Sequence, residues 1–374
     1  MRRIARCDPA RIIPKMEKPR APITAGAAGI ALFFAEVARD ARASRRSRTA
    51  ERACMWLRAS EKTHKDPRTA YGFRGLPFSR SFGGLGVFHG RAGVYTVAAR
   101  VASVRGDVKG FRAAASRFIA TWDAASKRKN FPNEIFSGVA GFIHAACDFE
   151  AQAVALGIEA DDGVRRVGRE AHARVYESLA RVARRPLPKG LRLGYGHGLI
   201  GEVDAILAWN PRPTATVAAV LDQLLAQAVV EDELAAWPAH VGDEPGGWIW
   251  PTWCNGMAGH VYLWCRAYEV FLDKRYFTAA RLSAQTTAYL LPAHPSVCCG
   301  LAGQALALHR YFRLTGDPAY RRHALARARR ACAQAITLRK IGLSYFQGLA
   351  GIAHLAHMLH TERTPRLPLI DSGE

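Results

Sequence analysis

Three short stretches place sulfur or imidazole within two residues of a glycine: Trp253-Cys254-Asn255-Gly256, Val297-Cys298-Cys299-Gly300 and Gly196-His197-Gly198. A thiolate is both the strongest side-chain nucleophile and a soft metal ligand. Three thiolates converging on one point would suit a zinc ion, with a fourth position open to water or an incoming thiol. An open position is what separates a catalytic zinc from a structural one. Spacing alone leaves other readings standing, because the eight cysteines include no Cys-x-x-Cys pair. Two buried cysteines with an unrelated third would look the same, as would a vicinal disulfide between Cys298 and Cys299. His197 adds an imidazole, a side-chain type suited to proton transfer.

These residues sit in a repeated element. A Gly-x-x-Gly unit followed by an apolar run occurs seven times: TAGAAGIALFFA, FHGRAGVYTVAA, FSGVAGFIHAAC, GHGLIGEVDAIL, CNGMAGHVYLWC, CCGLAGQALALH and FQGLAGIAHLAH. Their first glycines, at 26, 90, 138, 198, 256, 300 and 348, are separated by 64, 48, 60, 58, 44 and 48 residues. Each step holds two helices of about 12 to 15 residues with two connections. Strand signals are scarce, and the Ala/Arg/Leu-rich stretches between the glycines favour helix. The expected fold is all-α, an α/α toroid (double α-barrel) of seven helical-hairpin repeats. An open solenoid is the alternative, but its repeats keep a more regular length. A closed ring gathers the seven glycine turns at one end, so the residues beside them face one cavity. The expected organisation is a basic N-terminal extension over 1–20, one toroid domain over 21–362 and a C-terminal tail over 363–374.

The 374 residues carry a formal charge of +22, with 49% apolar and 22% charged residues. That composition builds a large core and excludes both a disordered chain and a small disulfide-stapled scaffold. The basic N-terminus lacks the apolar stretch of a secretory signal, and no apolar run approaches the ~20 residues that span a bilayer. A cytoplasmic protein without membrane insertion is expected. Nucleic-acid binding finds no helix-turn-helix, zinc-finger or aromatic-basic motif. Paired arginines (165/166, 184/185, 321/322, 329/330) fall between the glycine turns, where outer helices would face solvent. They would form a solvated face or attract an acidic leader peptide.

The seven elements together with WCNG and CCGLAG resemble the lanthionine synthetase C-like family. The resemblance runs from about Gly26 to Gly351 and is most specific in GHGLIG, WCNGMAG, VCCGLAG and YFQGLAG. It implies an α/α toroid with one zinc ion in its central cavity. The implied reaction is addition of a peptide cysteine thiolate to dehydroalanine or dehydrobutyrine, closing a thioether ring. The family's zinc set, a Cys in WCxG and Cys-His in CHG, maps onto Cys254, Cys298 and Cys299, so here a third thiolate replaces the histidine. His197 matches the acid/base histidine. Glu134 occupies the position of the third repeat's acidic residue, one methylene longer than the usual Asp. An Arg often lies four residues before the WCxG cysteine; this sequence has Trp250 there. Trp248 and Trp250 would wall a peptide site or pack in the core, and His89, just before Gly90, could line the cavity.

Other polar residues have plainer readings. Asp204 and Glu202 would as readily cap or pair with arginines as act. His354, His357 and His360 lie three residues apart on one helix face without a carboxylate partner in the sequence nearby. As implied partners, the resemblance adds a dehydrated precursor peptide and a separate dehydratase. Two other functions remain open at this point, addition of glutathione to dehydrated residues in proteins and a non-catalytic toroid that binds peptide or protein. Glycoside cleavage would need two facing carboxylates, and only Glu134 can be placed in the cavity.

Overall fold

The computed structural model describes residues 4, 7–16, 20–41, 43–63, 66, 70–71, 84–243, 250–338 and 341–371. Thirteen helices build two concentric layers. The inner layer is α1 (Ala27–Asp40), α3 (Arg91–Arg105), α5 (Val139–Ala155), α7 (Leu199–Trp209), α9 (Met257–Phe271), α11 (Leu301–Thr315) and α13 (Leu349–His360). The outer layer is α2 (Ala43–Lys62), α4 (Val108–Ser126), α6 (Asp162–Ala183), α8 (Ala215–Leu225), α10 (Lys274–Tyr289) and α12 (Pro318–Thr337). Among the described residues no helix is long and apolar enough to cross a membrane.

The two layers begin their helices differently. Five outer helices start on a side-chain cap, from Asp107, Asp161, Thr214, Asp273 and Asp317, which satisfies free N–H groups of the first turn. Each inner helix starts on a glycine with no side-chain cap. Its first N–H bonds instead to the carbonyl seven residues back, as Met257 does to Trp250 (2.9 Å) and Leu301 to His294 (2.9 Å). The same bond closes all seven turns, from Ala27 to Arg20 through Leu349 to Gly342. The tight loop explains the glycines. A Cβ on Gly256 would lie 1.7 Å from the Trp250 oxygen, and one on Gly259 would lie 2.3 Å from the Trp253 oxygen.

Ring closure is visible in the backbone. The residue two before each first glycine donates its N–H to its counterpart in the next repeat. Thr24 bonds Phe88 (3.2 Å), Phe88 bonds Phe136 (3.0 Å), Phe136 bonds Gly196 (3.3 Å) and Gly196 bonds Cys254 (2.7 Å). Cys254 then bonds Cys298 (3.3 Å), Cys298 bonds Phe346 (2.8 Å) and Phe346 returns to Thr24 (3.2 Å). An open solenoid could not complete this cycle. Inside it Phe88, Phe136, Phe346 and Trp253 pack ring against ring, with centroids 5.5 to 5.9 Å apart. This aromatic plug sits directly under the residues of interest.

Farther along the inner helices, the interior is ionic. Arg100 on α3 binds Asp148 on α5 through Nε (2.9 and 3.0 Å) and Glu36 on α1 through Nη1. Burial alone would raise the Glu36 pKa, but Arg100 and Arg39 outweigh it and hold the carboxyl at about 2. Arg100 thus bridges two buried carboxylates on neighbouring inner helices, and removing it should cost about 3–5 kcal/mol. Asp204 pairs with Arg266 (2.8 Å) and accepts a hydrogen bond from Tyr195. His354 is bonded to Tyr345 (2.6 Å), and His357 lies 3.5 Å from Asp40. These groups tie neighbouring repeats together.

Two features depart from a plain seven-hairpin pattern. After α13 there is no further outer helix among the described residues, because Pro365 and Pro368 forbid one. The stretch read as a tail from 363 instead packs beneath the ring: Leu367, Leu369 and Ile370 are buried, and the Ile370 carbonyl accepts from Arg266 (3.4 Å). The second feature is a small antiparallel hairpin between α8 and α9, β1 (Val229–Glu231) with β2 (Leu234–Ala236). Thr286 on α10 anchors it by bonding both the N–H and the C=O of Ala235. The paired arginines lie on or just after α6 and α12, and all but the half-buried Arg166 are exposed.

Candidate functional site

Because every turn has the same shape, the residue just before each first glycine lies at the same height in the ring. Those residues are Ala25, His89, Ser137, His197, Asn255, Cys299 and Gln347, all at least partly exposed, while the glycines beside them are buried. The turns thus build a shallow cavity floored by the aromatic plug.

In the fifth and sixth turns the floor is sulfur. Cys254, Cys298 and Cys299 hold their Sγ atoms within 4.8 Å of one another, and Cys254 and Cys299 are 3.7 Å apart. Two sulfurs bound tetrahedrally to zinc at ~2.3 Å lie about 3.8 Å apart, so the trio fits that ion. No disulfide joins Cys254, Cys298 and Cys299. Hydrogen bonds with Cys298 and Cys299, then with Thr252, and the nearby His197 pull the Cys254 thiol down to about 3 against the effect of burial. The same contacts work in reverse on its partners, raising Cys298 and pushing Cys299 up to about 12. Three thiolates this close need a cation to ionise together, which is the chemistry of a metal donor set. Among the described residues no other group of three such side chains is poised for a metal.

His197 stands in the turn before Cys254, and the Gly196 N–H bonds the Cys254 carbonyl. Its Nδ1 lies 2.9 Å from Glu134 Oε2. Glu134 also accepts from the backbone N–H of Phe136 (3.0 Å) and of Ser137. It is thus used as an acceptor three times, which makes His197 Nδ1–H the donor and leaves Nε2 for the cavity. Phe136 packs edge-on against the His197 ring, centroids 4.7 Å apart, and fixes its plane. His89 lies next to it, ring centroids 5.8 Å apart, and shares a hydrogen bond with Ser137 (3.2 Å). Burial and the neighbouring His197 lower its pKa to about 3, so His89 is neutral at physiological pH.

Reasoning from motifs missed Ser137, Phe136 and Gly196. Counting one and two positions back from each glycine would have found all three. A Cβ at Gly196 would come within 3.1 Å of the Phe136 ring and 3.2 Å of the Cys254 Cβ. Glu202, on the first turn of α7, is pushed up to about 8 by burial and by the Glu134 carboxylate. A folded-state pKa above the ordinary 4.5 means the folded protein holds this proton more tightly, so stability falls as pH rises from about 4.5 to 8. Glu202→Gln is expected to remove that slope, its gain in Tm over wild type growing between pH 5 and 8. Parallel pH profiles for the two proteins would refute it.

Trp250 is 49% exposed and lines a groove shared with Arg192 and Asn255. Trp248 lies outside the described residues.

The sequence model of the lanthionine synthetase C-like protein family matches residues 21–371. Among solved structures, nisin cyclase superposes with a TM-score of 0.75, covering 100% of this chain and 98% of its own at 12% identity. At that identity the likeness is one of fold.

Proposed function

The chain belongs to the lanthionine synthetase C-like family, and on that premise we propose that it is a zinc-dependent cyclase. It would add a peptide cysteine thiolate to dehydroalanine or dehydrobutyrine in a ribosomally made peptide, closing lanthionine or methyllanthionine rings. The observation that carries this reading is the meeting of three thiols with a carboxylate-bound histidine on one cavity floor. Zinc held by Cys254, Cys298 and Cys299 would lower the pKa of the incoming thiol and keep it deprotonated beside the acceptor. Three thiolate ligands make that centre electron-rich, which favours a nucleophilic bound sulfur.

The rest falls to the protein's own groups. The thiol proton leaves, a C–S bond forms at the β-carbon, and the π electrons move to an enolate. The α-carbon then takes a proton, so the peptide's mass is unchanged. His197, with its Nδ1 held by Glu134, would use Nε2 to carry that proton. Glu134 holds the ring and stabilises its protonated form. His89, neutral and bonded to Ser137, would line the peptide's path with Trp250. The acceptor residues arise by loss of water from Ser and Thr, and a separate dehydratase would supply them.

The test is to incubate zinc-loaded protein with a dehydrated, cysteine-containing peptide. Loss of alkylatable thiol at unchanged mass is expected. Thiols that stay alkylatable, or a mass gain from added glutathione in place of ring closure, would overturn the reading.

A further inference from the structure

Against the turn that carries Cys254 lies a groove of about 990 Å³, at the upper end of the range for ligand clefts. Asn255, the residue after Cys254, lines it, as do Trp250, Tyr289 at the end of α10, and one face of the β1–β2 hairpin. That face carries Val229 and Glu231, which pair across the strands with Ala236 and Leu234. Val229, Trp250 and Tyr289 are respectively 46%, 49% and 72% exposed, a large apolar area to leave beside a reaction centre.

We propose that this groove holds the segment of the substrate peptide flanking the reacting cysteine, and selects an uncharged or lysine-bearing segment over an acidic one. The inference rests on the cyclase reading. Two observations carry it. The first is continuity, since Asn255 belongs both to the groove and to the turn that presents Cys254, so a peptide with its thiol at the cluster continues into the groove. The second is charge. Glu231, Asp232 and Asp243 line it, and among the described residues Arg192 is the one Lys or Arg that does. Asp243 is engaged by His240 (3.2 Å), but Glu231 and Asp232 have no ion-pair partner among the described residues. The groove is locally acidic in a protein of +22, and the basic surplus lies elsewhere, on the outer helices.

Two labelled peptides test this, identical except for two Lys or two Asp beside an alkylated cysteine. Binding to zinc-loaded protein is read by fluorescence anisotropy at 0.15 M salt, where outer-helix arginines are screened beyond about 8 Å. Alkylation removes the thiol, so the readout is independent of turnover. The lysine peptide is expected to bind about three- to tenfold more tightly. The double variant Glu231→Lys/Asp232→Asn should level or reverse that order; Asn is chosen because residue 232 has φ of 51°. Equal affinities in the wild type, or the wild-type order kept in the variant, would overturn the proposal. Failure of cyclisation with this order intact would instead remove the cyclase reading and leave the groove.

Discussion

Cys254→Ala, Cys298→Ala and Cys299→Ala should each purify with far less than one zinc per chain and cyclise at least about 10²–10⁴-fold more slowly. The reason is the donor count. With one sulfur gone, two ligands remain for an ion that needs three from the protein, and the affinity of a three-thiolate site goes with the third. Folding should survive. Cys254 and Cys298 are buried among apolar neighbours that accept a methyl group, and Cys299 is exposed. The fifth and sixth turns are also joined by the Cys254 N–H to Cys298 C=O bond, which needs no metal. The expected loss in Tm is therefore a few degrees, against a near-complete loss of metal. Cys299→His, which offers the Cys-Cys-His set common in the family, should recover zinc and part of the rate. Elemental analysis with thiol-alkylation kinetics reads both. Stoichiometric metal retained by all three alanine variants would sink the site.

The ring was legible because its determinant is local and repeated. A turn that returns within seven residues leaves no room for a Cβ at positions such as Gly256, so the fold writes the same glycine pattern seven times. The thiol cluster was legible for the same reason, since a residue's offset from its glycine fixes its place in the ring. That offset also explains what motif reading passed over. Ser137 and Phe136 carry no chemistry by type, yet their positions place them against His89 and His197.

What escaped the sequence depends on contacts between distant segments. Nothing around Leu367 to Ile370 announces that five residues after Arg366 will cross beneath the ring to meet Arg266, 104 residues away in sequence from Ile370. The β1–β2 hairpin is three residues to a strand and is held from α10 by Thr286 on Ala235 and by Arg281 and Gln285 on Glu233, partners invisible from either end. Trp250 could be read either way because an aromatic run has no exposure of its own. Only the packing of the fifth turn, which uses the Trp250 carbonyl and leaves the indole outside, decides it.

His197→Ala should lower kcat by about 10²–10⁴-fold while zinc content stays near one and KM changes little. The imidazole is no donor in the three-thiolate set, so removing it leaves the metal's ligands complete. What disappears is the only ring nitrogen described here that combines a carboxylate partner with a place beside Cys254; the neighbouring His89, held neutral by burial, is a poor substitute. Glu134→Gln should cost less, about 10–100-fold, by analogy with groups that orient a ligand from one bond away. The glutamine oxygen can still accept the Phe136 and Ser137 N–H groups and keep the turn, but without the negative charge it stabilises protonated His197 less. A purely structural role for the pair would lower stability and leave kcat near that of the wild type. A His197→Ala enzyme within threefold of wild type in kcat would assign the proton transfer to another group on the cavity floor.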